Sequence, residues 1–259
     1  MRDIDCHWQS GSGPAALLES EVHVWRLSLD QGPRLIRLFE EFLSSEEKRR
    51  AEGSFLEMKK TSFRLCRGFL RVLLGRFGGT APEAIRFVKG ERGKLHLDAS
   101  FRRTGIEFNL SHSGDVALVA LSKERRLGVD VEQTRPTAAL DEISQRLFSF
   151  VEREEIGALP EAERIDGFYA CWTRKESSIK ALGGSIAELA LEVLVTANPR
   201  EPARLRRMPS TDSDAGPWQL QDLPVGEGYA AALCYQGRSA EVSLWDADAW
   251  LMSRDNAGT

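Results

Sequence analysis

Lys123-Glu-Arg-Arg-Leu-Gly-Val-Asp-Val-Glu132 sits near the middle of this 259-residue chain and divides it. Its first four residues are all charged and mark a boundary, so an N-terminal unit is expected over 1–124 and a C-terminal unit over 125–259. The next six alternate as a strand. Side chains at i and i+2 of a strand share a face, so Val129 and Val131 enter a core while Asp130 and Glu132 project together. Two carboxylates roughly 7 Å apart on one face repel unless a metal, a lysine or water lies between them. The polar face of an exposed edge strand accounts for the same alternation.

Working upstream, Val116–Leu121 and Ile106–Leu110 read as strands joined by the polar turn Ser111-His-Ser-Gly-Asp. Before them comes a hairpin from Ile85 to Leu97 around Lys89-Gly-Glu-Arg-Gly, where Gly90 and Gly93 can take positive φ. Phe63, Cys66, Leu70, Leu73, Leu74 and Phe77 recur at helical intervals until Gly78-Gly79 stops the pattern. Ser44 and Glu47 have capping-box spacing, and Glu21–Leu27 is the first strand. Downstream, helical segments are expected over Leu140–Leu147 and after the Ser149-x-x-Glu152 box, then a long helix over Asp166–Leu182 closed by Gly183-Gly184. Leu191–Thr196, Trp218–Leu223, Tyr229–Tyr235 and Glu241–Trp245 have strand character, with an irregular excursion over Asn198–Gly216. The order helix, strand, strand therefore occurs twice. Gly114-Asp-Val-Ala-Leu-Val-Ala-Leu and Gly228-Tyr-Ala-Ala-Ala-Leu-Cys-Tyr share a Gly-led small-apolar pattern, in keeping with an internal duplication.

Hydrophobic residues make up 42% of the chain and charged ones 29%, which excludes disorder, collagen-like repeats and pure coiled coil. The longest apolar run, Val116–Leu121, is far short of the roughly 18 residues of a membrane helix. The start, Met-Arg-Asp-Ile-Asp-Cys-His-Trp, lacks the basic and then apolar pattern of an export signal. Cys6, Cys66, Cys171 and Cys234 form no C-x-x-C pair, so reduced thiols and a cytoplasmic protein are expected. The net charge of −4 hides an asymmetry. Arg34–Arg103 holds 17 Lys and Arg against nine Asp and Glu, an excess of eight positive charges that leaves −12 on the remainder. Such a half suits an anionic partner: nucleic acid, an anionic lipid surface or a small polyphosphate.

On the helix Asp166–Leu182, at about 100° per residue, Phe168, Cys171, Trp172, Ile179 and Leu182 form one arc. Lys175 falls near its centre, with Glu176 and Lys180 along one edge. A lysine amid apolar residues either snorkels to the surface or is held at an interface by an anion. Glu176 and Lys180 alone make an ordinary i,i+4 pair worth a few tenths of a kcal/mol. Together, Asp130, Glu132 and Glu176 are hard oxygen donors of the kind Mg²⁺ takes in phosphate chemistry. His112, flanked by Ser111 and Ser113, either offers donors to a phosphate or is simply solvated.

Phe108-Asn-Leu-Ser-His-Ser-Gly, Gly128-Val-Asp-Val-Glu and Trp172-Thr-Arg-Lys-Glu-Ser-Ser-Ile-Lys-Ala-Leu-Gly, in this order, resemble the signature motifs of 4′-phosphopantetheinyl transferases of the surfactin-synthetase-activating type. The resemblance covers about Lys48–Gly183 well. It implies an α+β fold, a pseudo-dimer of two similar subdomains with the active site in the cleft between them, and a monomer. It also implies Mg²⁺-dependent transfer of 4′-phosphopantetheine from coenzyme A to a carrier-protein serine, releasing adenosine 3′,5′-bisphosphate. By motif, Asp130, Glu132 and Glu176 become the metal set, Glu176 also the base, and Lys180 the catalytic lysine. Lys175 would line the phosphate site, Ser111 and His112 would hold coenzyme A phosphates, and Lys48, Arg64 and Lys94 would be further contacts. Ala51 stands where relatives often carry a second lysine, leaving Arg49 or Arg50 to substitute. A non-catalytic RNA-binding module using the basic half is the alternative; against it, three carboxylates would repel a phosphate backbone unless metallated. Neither nucleic acid nor a membrane is therefore expected as a partner.

Overall fold

The computed structural model describes residues 7–11, 13–90, 93–137, 139–209 and 216–257; Cys6, the hairpin tip at Glu91 and Arg92, and 210–215 of the irregular excursion lie outside the described residues. The first half runs β1 (Glu21–Ser28), α1 (Pro33–Glu41), α2 (Ser45–Glu52), α3 (Glu57–Gly78), β2 (Phe87–Lys89), β3 (Leu95–Leu97), β4 (Ile106–Ser113) and β5 (Val116–Lys123). The second runs β6 (Leu127–Gln133), α4 (Leu140–Leu147), α5 (Phe150–Gly157), α6 (Arg164–Leu182), α7 (Ile186–Leu189), β7 (Leu194–Val195), β8 (Leu205–Arg207), β9 (Trp218–Asp222), β10 (Tyr229–Gln236), β11 (Glu241–Asp246) and α8 (Ala247–Ala257). Both expected capping boxes form, Ser44 with Glu47 and Ser149 with Glu152. Gly79 and Gly183 close α3 and α6 in the left-handed conformation that a side chain would strain.

Two sheets carry the architecture, β11-β1-β5-β4 and β6-β10-β9. Period-two alternation explains how they stack. In β1, Trp25 and Leu27 pack towards α1, α3 and α8, whereas Val22 and Val24 point the other way. In β5, Val119 and Leu121 join the first set while Leu118 and Ala120 join the second. That second face meets Leu127, Val129 and Val131 of β6 and Leu233 of β10, so the two sheets bury their apolar faces on each other. α6 covers the far side of β6 and β10, giving layers of helix, sheet, sheet and helix. The fold is mixed α and β, as expected.

Three readings of the sequence change. β4 continues through Ser111, His112 and Ser113, so the turn shrinks to Gly114-Asp115, with Gly114 at φ +54°. The segment expected as a strand from Leu191 is β only at Leu194–Val195. The division at 124/125 does coincide with the passage from one sheet to the other, but β11 returns to pair in parallel with β1 and α8 packs on β1. Residues 241–257 therefore belong with the first half. A short edge strand that follows β10 directly but pairs with the first strand of the chain gave no local signal for that return.

Gly128 fixes how closely α6 approaches β6. A Cβ there would lie 2.1 Å from the Ser177 carbonyl oxygen and 2.4 Å from the Ala181 nitrogen, both backbone atoms of α6. Backbone cannot swing aside as a side-chain tip does. Gly128→Ala should therefore destabilise the protein by about 3 kcal/mol or more, read as a lowered unfolding midpoint in denaturant; a midpoint like that of the parent would show that helix and strand are not packed this closely.

Candidate active site

The edge strands β4 and β6 belong to different sheets and are joined by side chains. Alternate residues of β4 face β6: the Val129 amide donates to Asn109 Oδ1 at 2.9 Å and the Gln133 amide to Ser113 Oγ at 3.1 Å. Ser111 donates its hydroxyl to Asp130 Oδ1 at 2.8 Å, and Ser113 donates to Glu132 Oε2 at 2.7 Å. Small polar side chains at period two thus stand in for a backbone ladder, and two of them grip the paired carboxylates.

From the other side, α6 brings Lys180. Its Nζ donates to Asp130 Oδ1 at 2.6 Å and to Ser111 Oγ at 3.0 Å. Asp130 is 2% exposed, so it faces α6 rather than solvent; its projection away from the valines is as expected, its openness is not. β6 is an edge strand, as read, but α6 covers its polar face. Burial raises the Glu176 carboxyl above the ordinary value, opposed by Lys180 and reinforced by Asp130 and Glu132. Glu132 is raised for the same first reason and by Asp130, against hydrogen bonds from Ser113 and Trp172. Asp130, Glu132 and Glu176 are thus brought into one electrostatically coupled group.

The group suits a hard divalent cation in one respect the structure shows directly: Asp130 Oδ2 is buried without a hydrogen-bond partner among the described residues, and such an orphan is costly. Three of these side chains do not already enclose an ion-sized space among the described residues. Mg²⁺ does not require that, since it is held by one or two carboxylates and completes its shell with waters and substrate phosphates.

Lys180 also lines a cavity of about 410 Å³ together with Arg50, Phe63, Arg67, Lys94 and His112, and among the described residues no Asp or Glu lines it. Arg50 and Arg67 lie over the Phe63 ring, 5.4 and 5.6 Å from its centroid. Burial, with Arg50 and Arg71 nearby, lowers the Arg67 pKa against the pull of Glu47. His112 is held below the usual imidazole value by burial and then by Lys180. Glu47 pairs with Arg67 at 3.4 Å and Asp130 with Lys180 at 2.6 Å from behind the wall, so the face turned to the cavity is cationic and suits an anion.

Several expected site residues stand elsewhere. Lys175 does not reach this cavity: it is wholly buried, donating to both Glu152 oxygens at 2.8 and 2.9 Å and to the Val193 carbonyl at 2.6 Å. Glu152 is the anion that its place in the apolar arc required. Arg64 is engaged by Glu40, Glu52 and Glu57, and Lys48 is exposed on α2; neither lines the cavity. Ser111 spends its proton on Asp130 rather than facing the cavity as a phosphate donor. Lys94 lines the wall, yet its Nζ donates to the carbonyls of Leu127 and Lys180. Glu176, Lys180, Asp130, Glu132 and His112 are brought together as expected.

The sequence reading missed Arg67, Asn109 and Ser113. Arg67 lies one helical turn beyond Phe63, on the face that Leu70 shares, and that spacing was the available signal. The strand alternation Asn109, Ser111, Ser113 was hidden by ending β4 at Leu110.

A cation-walled cavity opening on coupled carboxylates is the equipment of a phosphate-handling enzyme. A sequence model described as the 4′-phosphopantetheinyl transferase superfamily matches residues 126–234. The chain is 35% identical over 229 residues to the 4′-phosphopantetheinyl transferase HetI of Nostoc sp. (strain PCC 7120), spanning 88% of this chain and 93% of that protein. It is 28% identical over 198 residues to the 4′-phosphopantetheinyl transferase Sfp of Bacillus subtilis, 76% of this chain and 83% of the relative. Against AcpT of Salmonella typhi the identity is 39% over 115 residues, 44% of this chain and 57% of the relative. The chain belongs to the 4′-phosphopantetheinyl transferase family, a family of transferase enzymes.

The raised carboxyls set a pH dependence. A carboxyl whose folded pKa exceeds its unfolded one binds its proton more tightly in the native state, so stability is greatest below the unfolded pKa and falls as pH rises through the folded one. Glu176→Gln should accordingly melt higher than the parent at about pH 7 and no higher near pH 4; a variant that melts lower at neutral pH contradicts the repulsion among the three carboxylates. Removing Lys175 has the opposite sign. Lys175→Ala strands Glu152 in the core and should cost about 3–5 kcal/mol, whereas Lys175→Met with Glu152→Gln should recover most of it; equal losses in denaturant melts would contradict the pair.

Proposed function

We propose that this protein transfers the 4′-phosphopantetheine arm of coenzyme A to a serine hydroxyl of an acyl or peptidyl carrier protein, releasing adenosine 3′,5′-bisphosphate. The observation that carries the reading is the junction at Lys180, which touches both the anion cavity and Asp130. A substrate with a ribose 3′-phosphate at one end and a pyrophosphate to be broken needs those two features side by side.

In this reading Arg50, Arg67 and His112, which line the cavity wall, take the ribose 3′-phosphate. Contacts so far from the reacting bond hold ground and transition states about equally and serve KM. Asp130, Glu132 and Glu176 would hold Mg²⁺, which when bound supplies charge neutralisation on the pyrophosphate. Lys180 meets the same phosphate oxygens and balances charge on the leaving group as the bond opens. The serine oxygen forms a bond to the phosphorus that carries the pantetheine. The bond from that phosphorus to the bridging oxygen breaks, and the bisphosphate leaves with its electron pair. Glu176 takes the serine proton through the carboxylate oxygen that the metal would leave free.

Protein, coenzyme A, Mg²⁺ and a panel of apo carriers should give at least one carrier heavier by a single phosphopantetheine in a mass spectrum; an unmodified panel would count against the activity. In the same assay Lys180→Ala should lower kcat by about a hundredfold or more. Asp130→Ala should abolish transfer and also cost about 1–3 kcal/mol, because it leaves Ser111 and Lys180 without their acceptor; calorimetry alongside turnover separates the two effects, and near-normal turnover in a folded Asp130→Ala protein would remove Asp130 from the chemistry.

A further inference from the structure

Lys94 reaches its partners from the N-terminal half. It stands just before β3, after Gly93, whose φ of +83° turns the chain there. Its Nζ crosses to the second half and donates to Lys180 O at 2.8 Å and Leu127 O at 3.1 Å. The first carbonyl lies in the last turn of α6, where it also accepts the Gly183 amide at 3.1 Å and where a cation is favoured. The second belongs to the residue before Gly128, where α6 and β6 touch backbone to backbone. One side chain therefore fastens the end of the helix that carries Glu176 and Lys180 to the start of the strand that carries Asp130 and Glu132.

Its burial is consistent with a fixed role. Desolvation, with Arg126 near, brings the Lys94 pKa down to about 8 against the attraction of Glu107, as for a half-buried ammonium held between the two halves. Both donated bonds are to main-chain oxygens, so they constrain backbone and not merely a neighbouring rotamer.

We propose that Lys94 is a positioning residue, which by pinning the Lys180 carbonyl and the Leu127 carbonyl together sets where the Lys180 ammonium stands relative to Asp130. The proposal rests on the transferase reading for its kinetic consequence and on geometry alone for its structural one. Its prediction differs from that of a phosphate contact. A ligand contact shows itself in KM for coenzyme A, whereas misplacing Lys180 reduces kcat.

Lys94→Met keeps the length and apolar stem and removes the donors. Its kcat should fall about tenfold or more with KM for coenzyme A within about twofold, and equally with 3′-dephospho coenzyme A. In protein labelled with ¹⁵N-lysine, the side-chain resonance of Lys180 should shift in the variant. Lys94→Arg retains charge and donors and should recover part of the lost kcat. A raised KM with unchanged kcat would make Lys94 a ligand contact, and a lowered melting temperature with unchanged kcat and an unmoved Lys180 resonance would make it merely structural; either overturns the proposal. Should Lys94→Met fail to fold, Lys94→Gln provides the same readouts. If the parent itself modifies no carrier, the transferase reading fails, and the Lys180 resonance still decides the positioning role.

Discussion

The rest of the structure hangs on a seam between two sheets that share no backbone ladder. β4 ends one sheet and β6 begins the other, and Asn109, Ser111 and Ser113 bridge the gap with their side chains. A buried strand edge with unpaired amides is costly, so the seam must be closed by something. Closing it with side chains rather than main chain leaves room beside it, and the carboxylates are held there by hydroxyls instead of being neutralised by burial in a continuous sheet. The site is thus a consequence of how two β layers are joined.

α6 completes that arrangement by rotation alone. Lys175 and Arg174 are drawn into the second half by Glu152 and Asp222. With those two residues committed inward, Glu176 and Lys180 are turned towards β6. Glu152 is itself shared: it caps α5 by accepting the Ser149 amide, accepts the Val195 amide and receives Lys175. A single buried carboxylate therefore sets one helix start, one strand and the angle of the helix that bears Lys180. Buried pairs contribute little net stability compared with apolar packing, but breaking one is expensive, which suits a role in fixing orientation.

Much of this was legible in the sequence, for local reasons. Capping boxes, glycine stops and helical periodicity are short-range signals, and α2, α3, α5 and α6 follow them. The valine and carboxylate alternation of β6 separates the face that packs on the other sheet from the face that meets α6, and Glu176 with Lys180 lies on the edge of α6 turned to those carboxylates. What failed was what depends on distant contacts. The burial of Asp130 is produced by a helix some 40 positions on; the return of β11 to β1 joins the two ends of the chain; and the partner of Lys175 lies in a capping box that looked purely local. The ion pairs of Arg64 with Glu40 and Glu52 likewise join separate elements that no local pattern connects.

The three free cysteines described, Cys66, Cys171 and Cys234, are all buried, with Cys66 and Cys234 pushed up to about 12 by desolvation, so no thiolate competes for the cavity's anion site. No helix among the described residues is long and apolar enough to cross a membrane. The chemistry is left to the junction of cavity and carboxylates, and a crystal structure with coenzyme A and Mg²⁺ bound would examine it most directly. The account predicts the nucleotide end against Arg50, Arg67 and His112, the pyrophosphate beside Lys180, and the metal on Asp130 Oδ2; coenzyme A seated outside this cavity, or a metal held away from Asp130, would contradict it.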